Sequence, residues 1–247
     1  AWVDAHVPNT RLVTPTPCPL DLLTHTHDPL YVRGFQAGTL DAKAMREIGL
    51  PWSQGLATRT LLALGGSLRT CELAAEYGLA SHLAGGTHHA HRERGSGFCI
   101  YNDLAVCARA LVSKGLASRV LIFDCDVHQG DGTAAILAGD ADTFTCSIHA
   151  EKNFPVRKVA SDLDVNLADG LTDDDYLPVV FDTLESVLAS WHPDFVIYDA
   201  GADVHQDDVL GRLSITTAGL LARDQGVMQR IVDRGIPCAT VIGRDVK

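Results

Sequence analysis

Between Arg119 and Val127 the chain carries one polar position in two only after a solid apolar run, Val120-Leu121-Ile122-Phe123, has ended. Asp124, Asp126 and His128 follow at alternate positions, and side chains two apart on a strand share a face. The pattern predicts a buried strand over 119–127 with two carboxylates and an imidazole at its carboxyl end. Other strands are expected at 82–86, 143–148, 195–198 and 238–242, where short apolar runs are bounded by turn-forming residues. Helical spacing predicts a helix over 56–77, with Leu61, Leu64, Leu68, Cys71 and Ala75 on one stripe and Gly78 as its stop. Further helices are expected over 103–114, ended by Gly115, over 176–190, and over 217–234, ended by Gly235. In the third of these four, Asp173, Asp174 and Asp175 sit near the positive end and Pro178 falls in the first turns. Residues 1–30, broken by Pro8, Pro15, Pro17, Pro19 and Pro29, read as irregular.

Nearly all-apolar strands alternating with helices predict a parallel sheet covered on both faces, an α/β fold. Such sheets bind ligands beyond the carboxyl ends of their strands. The polar clusters fall there: Gly85–His91, Asp124–Gly132, Ser147–His149 and Asp199–Asp208. With 247 residues, 46% of them hydrophobic, and no internal repeat or linker, one domain over 1–247 is expected.

A net charge of −11 argues against sequence-independent nucleic-acid binding and favours cationic partners such as lysine-bearing peptides or polyamines. The seven cysteines are scattered, without a C-x-x-C, which points to reduced, buried thiols. No apolar run approaches the roughly 18 residues of a membrane span and no signal-peptide pattern is visible, so a soluble cytoplasmic protein is expected.

Carboxylate oxygen and imidazole nitrogen suit zinc, and a catalytic zinc commonly takes three protein ligands. Asp126 and His128 supply two, although D-x-D also occurs at phosphate and magnesium sites. Asp203, just beyond an apolar strand, can reach the same rim, with His205, Asp207 and Asp208 as competitors. The adjacent His88 and His89 suit a proton-transfer pair better than two ligands of one ion, and a histidine base needs an orienting carboxylate, for which Asp124 and Asp131 are spare. His91, His25 and His27 read as surface residues. Phe98 and Phe154 are loop aromatics that either wall an apolar slot or cover the core beneath them. There is no G-x-S-x-G elbow and no Walker loop.

Four stretches in this order, G-G-T-H-H-A (85–90), G-F-C-I-Y-N-D (97–103), D-C-D-V-H-Q-G-D-G-T (124–133) and D-A-G-A-D-V-H-Q-D-D-V-L-G-R-L-S (199–214), resemble the zinc-dependent histone deacetylase superfamily. I-G-L-P-W (48–52) and H-A-E-K-N-F-P (149–155) look closer to its class IV branch and bacterial relatives. The resemblance spans roughly residues 20–243. It implies the arginase–deacetylase fold, a single parallel sheet of about eight strands flanked by helices, and hydrolysis of an acyl-lysine amide, with acetyl or long fatty acyl groups both open. It further implies Asp126, His128 and Asp203 as ligands of one zinc; His89 as general base and then acid, oriented by Asp131; and His88, paired with Asp124, tuning charge near the leaving group. Gly97, Phe98 and Phe154 would line an acyl-lysine tunnel with Leu210 near its mouth. A structural potassium ion would use Asp124, Ser147 and the backbone carbonyls of Asp126 and His128.

The chain departs from that family in two places. Members carry a Gly-rich segment ending in a tyrosine near the last strand, whereas Ala239–Lys247 reads A-T-V-I-G-R-D-V-K. None of Tyr31, Tyr77, Tyr101, Tyr176 and Tyr198 falls in a matching motif. The family's opening strand and C-terminal helix are not recognisable either, so an N-terminal strand, the tyrosine loop and a last helix are expected to be missing from the sequence. Trp2–His6 looks like an arginase metal motif by coincidence. Rival readings are a small-molecule N-acetyl amine (polyamine) amidohydrolase, a non-catalytic acyl-lysine binding module, and an arginase-like hydrolase with two manganese ions.

Overall fold

The computed structural model describes residue 7 and residues 10–243; Trp2–His6 and Arg244–Lys247 lie outside the described residues. Six strands form one all-parallel sheet: β1 (Leu79–Ser81), β2 (Val120–Asp124), β3 (Thr143–Ala150), β4 (Leu163–Leu167), β5 (Phe195–Asp199) and β6 (Cys238–Val241). Their order across the sheet is β1-β6-β5-β2-β3-β4, so the most apolar strands, β2 and β5, lie side by side in the middle. The sheet is parallel as expected, with six strands among the described residues rather than eight.

Apolar side chains on both faces of these strands need two covering layers. Long helix α4 (Gln54–Tyr77) and helix α5 (Asp103–Ser113) close one face, with Leu104 and Leu111 of α5 in one core with Val120, Ile122 and Ile197 of the sheet. Helices α7 (Asp173–Trp191) and α8 (Thr217–Val232) close the other over Leu121, Phe123, Val196 and Tyr198. No helix among the described residues is long and apolar enough to cross a membrane.

Three sequence expectations are corrected. The region 1–30, expected to be irregular, holds α1 (Leu20–Thr24) and only the first two residues of α2 (Pro29–Ala37), after which α3 (Ala42–Ile48) follows. Pro29 opens α2 at its first position, where a missing N–H costs nothing, and Asp28 caps the helix by accepting from the Leu30 and Tyr31 N–H groups. The strand expected over 82–86 ends earlier, at Ser81, because Gly85 and Gly86 adopt φ of +89° and +71° and turn the chain. The strand expected to run through Val127 stops at Asp124. There Asp126 N–H donates to Asp124 Oδ1 (3.0 Å) and His128 N–H to Asp126 Oδ1 (2.9 Å), and these side-chain turns end the ladder. Asp126 and His128 therefore meet through a turn and not through strand alternation. Helix α6 (Asp131–Leu137) and the half-polar edge strand β4 were not expected at all.

Candidate metal centre and its histidine pair

Register places the site. Asp124 ends β2 directly opposite Asp199 at the end of β5 and Ser147 on β3. The loops that leave β2 and β5 thus start side by side and carry Asp126, His128 and Asp203 to one point. Ligand atoms of these three buried residues all lie within 4.8 Å of one another. His128 Nδ1 is 3.0 Å from Asp126 Oδ1 and 2.9 Å from Asp203 Oδ2. One ring nitrogen carries at most one proton, so it cannot satisfy two carboxylates together. A cation at the point where they converge can, and one imidazole with two carboxylates is a zinc-type donor set. Asp203 Oδ1 is meanwhile held by the Val127 N–H at 2.9 Å.

Charge follows from this crowding. Burial and the neighbouring Asp126 push Asp203 up to about 6. Burial alone would pull His128 down, but hydrogen bonds to Asp126 and Asp203 outweigh it and raise it to about 10.

The histidine pair hangs on a loop pinned from below. Asp103, at the head of α5, accepts from Thr87 N–H (2.8 Å), Thr87 Oγ1 (2.7 Å), Gly86 N–H (3.2 Å) and Ser67 Oγ (2.5 Å). Asn102 caps α5 through its Oδ1, and its amide nitrogen donates to His88 O and Ala90 O, both at 3.1 Å, one on each side of His89. His88 Nδ1 then lies 2.7 Å from Asp124 Oδ2, and His89 Nδ1 lies 2.7 Å from Asp131 Oδ1. The two rings are 4.1 Å apart, and His89 stands 5.8 Å from the His128 ring. The structure brings Asp126, His128 and Asp203 together beside the carboxylate-paired His88 and His89.

The two imidazoles face opposite electrostatics. Burial opposes a charge on His88, yet Asp124 and Asp126 together raise it well above the ordinary value. Burial and that charged neighbour push His89 down to about 3. Asp131 is buried too, but hydrogen bonds from His89 and His91 hold it well below the usual carboxylate range.

His88, Asp124 and Asp199 form a second group with ligand atoms within 4.8 Å. Within it, Asp124 is the direct hydrogen-bond partner of His88, at 2.7 Å. Asp199 was not singled out from sequence. It is fully buried, one oxygen accepts from Gly243 N–H (2.9 Å), and burial beside Asp124 pushes it well up.

Around this centre, Gly97 has φ of +52°, and a Cβ there would stand 2.6 Å from the His89 ring and 3.2 Å from Phe154. The Phe154 ring meets His89 edge-on at 4.8 Å, so Gly97, Phe154 and His89 share one wall. Phe98 is equally exposed, with its ring against Gly49. Leu210 is half-buried, and its carbonyl accepts from Asn153 Nδ2 (2.9 Å), tying its loop to the one bearing Phe154. Ser147 Oγ lies 3.0 Å from His149 Nδ1.

Several expectations are corrected. His91 and His27 are buried, whereas His25 is exposed. His205 and Asp207 pair with each other, His205 also facing Thr217 Oγ1, and Asp208 caps the Leu210–Gly211 turn, so none of them joins the metal cluster. Arg223 on α8, missed from sequence, is fully buried and donates to Cys125 O (3.2 Å) and Gly201 O (2.8 Å), joining the two ligand loops from beneath. Its only sequence signal is a lone charge on an apolar helix stripe. The hydroxyls of Tyr31, Tyr101, Tyr176 and Tyr198 are spent on Ile100 O, Val32 O and Gln36, Arg223, and Asp224, while Tyr77 projects from α4 into solvent.

This arrangement has counterparts. The histone deacetylase domain model matches residues 3–243. The chain belongs to the histone deacetylase family. An uncharacterised protein of Picosynechococcus is 52% identical over 217 residues, covering 88% of this chain and 72% of that protein. Histone deacetylase 2 of Arabidopsis thaliana is 34% identical over 177 residues, and the acetoin utilization protein AcuC of Bacillus subtilis 32% over 227 residues. These matches take in 70% and 83% of this chain but only 46% and 58% of the two relatives. Among solved structures, a histone deacetylase homologue complexed with SAHA superposes with a TM-score of 0.81 over 95% of this chain and 68% of its own, at 23% identity. The HDA15 HD domain gives 0.80 over 100% and 76%, at 22% identity. At those identities the likeness shows the fold, and the fold is the arginase–deacetylase α/β architecture.

Proposed function

We propose that the chain is a zinc-dependent hydrolase of acyl-lysine amides. The observation that carries this reading is the convergence of two carboxylates on one nitrogen of His128, beside a pair of carboxylate-held histidines. Asp126, His128 and Asp203 would hold the zinc, which supplies a polarised carbonyl and an acidified water. His89 carries its ring proton on Nδ1, donated to Asp131, so Nε2 is left to take the water's proton and return it to the leaving amine. Its neutral state fits a base, and Asp131 fixes the tautomer. His88, held charged between Asp124 and Asp126, keeps a positive charge beside the reacting carbonyl. Gly97, Phe98 and Phe154 would flank the lysine's methylenes, with Leu210 at the mouth. Asp124 and Ser147, paired in register, would serve a potassium ion together with the Asp126 and His128 carbonyls. The burial of all seven cysteines supports a reducing, cytoplasmic setting.

The test is hydrolysis of acetyl-lysine and myristoyl-lysine peptides and of an acetylpolyamine, with chelator and with zinc restored. Zinc-dependent release from a peptide is expected, and the preferred acyl length reads out the pocket. Release from the polyamine alone would replace the lysine substrate with a small amine. Silence on all three with zinc bound would leave an acyl-lysine binding module, a reading favoured by the engagement of the Tyr31, Tyr101, Tyr176 and Tyr198 hydroxyls elsewhere among the described residues.

A further inference from the structure

His91 is buried, and its Nε2 lies 3.0 Å from Asp131 Oδ2. The other oxygen of the same carboxylate, Oδ1, is the one that faces His89 Nδ1 at 2.7 Å. A carboxylate engaged at one oxygen can still turn about its Cβ–Cγ bond and present either oxygen, since that torsion is soft. Engaged at both, its plane is fixed, and so is the direction of the bond it offers to His89.

His91 is itself held firmly. Its N–H donates to Arg94 O at 2.9 Å. Its carbonyl lies 3.0 Å from Nδ1 of the fully buried His27, whose Nε2 accepts the Asn102 N–H at 2.9 Å. Because Nε2 accepts, the His27 proton is on Nδ1 and is donated to His91 O. Asn102 in turn holds the carbonyls of His88 and Ala90. The backbone on both sides of the His91 ring is therefore anchored to the head of α5, and the ring has one buried acceptor to serve.

We propose that His91 is a positioning residue: it donates to Oδ2 of Asp131, fixes the plane of that carboxylate, and so aims His89 at the reacting atoms. The proposal rests on the role given to His89 above. It requires a donor at the place of His91 Nε2, and not an imidazole as such.

The experiment compares His91→Leu, His91→Gln and His91→Asn in the full chain with zinc bound. Leucine keeps bulk without a donor. Glutamine carries an amide nitrogen where Nε2 stands, whereas asparagine falls short of it. For the leucine and asparagine variants, kcat on the best acyl-lysine peptide is expected to fall about tenfold or more, as is usual for partners behind a metal site. KM and zinc stoichiometry should stay at wild-type values, and glutamine should restore most of kcat. A leucine variant at full kcat, a glutamine variant as slow as leucine, or a loss of zinc in parallel with kcat would overturn the proposal. A second readout does not need turnover: the His89 Nδ1 proton in nuclear magnetic resonance should exchange faster with water in the leucine variant than in the wild type and the glutamine variant. An unchanged signal in the leucine variant would overturn the positioning role. If the wild type cleaves no acyl amide, the functional reading fails by itself, and this resonance still decides what His91 does to His89. Should leucine prevent folding, the contrast between glutamine and asparagine decides.

Discussion

At the scale of single residues, two adjacent histidines in one loop are driven to opposite states by what each one faces. His88 looks at Asp124 and Asp126 and is held charged, whereas His89 shares Asp131 with His91 and sits beside that charge. His89→Ala should therefore lower turnover by about 10²–10⁴-fold, the range for a general acid–base. Zinc content by elemental analysis should stay at the wild-type level; near-normal turnover would remove His89 from the chemistry. His27 gives a separate stability prediction. Burial holds it down to about 4, so the unfolded chain takes up a proton near its ordinary value of 6.5 while the folded chain does not. Its contribution is full above about 6.5 and is lost as pH falls towards about 4, on the order of 3 kcal/mol in all. In urea unfolding across that range, the stability gap between wild type and His27→Gln should narrow as pH falls. A gap that stays constant would show that His27 does not titrate there.

At the scale of elements, helix α4 shows tertiary contact reversing a local preference. Gly65 and Gly66 are poor helix formers, and alanine would be better by about 1 kcal/mol in isolation. Here a Cβ on Gly65 would stand 1.8 Å from the Thr16 carbonyl, and one on Gly66 would stand 2.4 Å from the His82 ring. The glycines let the segment before α1 and the turn after β1 lie against the helix. Gly65→Ala should therefore destabilise by about 1–3 kcal/mol, as overpacking does. Gly55→Ala, with nothing nearer than 3.8 Å in the first turn of the same helix, should be neutral or mildly stabilising. Denaturant midpoints of the two variants should move in opposite directions or differ clearly in size; equal shifts would refute the contact. Strands β2 and β5 carry solid apolar runs, and β3 and β6 shorter apolar stretches, which are visible in the sequence because burial on both faces demands them. Edge strand β4 is not, since L-D-V-N-L needs burial on one side only. Helices α1–α3 are short and begin at prolines or turn residues, which a local reading takes for breaks.

At the scale of the whole molecule, the proposed metal cluster joins two crossovers. Asp126 and His128 follow β2 and Asp203 follows β5, with Arg223 bracing both loops from α8. A bound ion therefore ties parts of the fold that are distant in sequence, and its removal should loosen them together. Chelation should lower the melting temperature of the wild type, corresponding to about 2.7 kcal/mol when free zinc stands at a hundred times Kd. Asp203→Ala should bind no stoichiometric zinc and should not respond to chelator. Zinc retained by that variant would move the third ligand elsewhere. The acidic character of the chain belongs to this scale as well: a net charge of −11 suits a proposed reaction that releases a cationic amine.

By itself the sequence determined the class of fold and the chemical types at the site. Apolar runs specify a parallel sheet whatever their neighbours, and D-x-D-x-H beside an H-H pair brings ligands and proton carriers on short local segments. Only tertiary structure decided which of Asp203, His205, Asp207 and Asp208 completes the cluster, because that depends on how far the loop after β5 turns before it meets β2. It also decided that His27 and His91 are buried, that Asp199 faces Asp124, and that Arg223 lies beneath both loops. Those side chains are placed by register and by helix packing across the sheet, which relate residues far apart in the chain and leave no local pattern in their own segments.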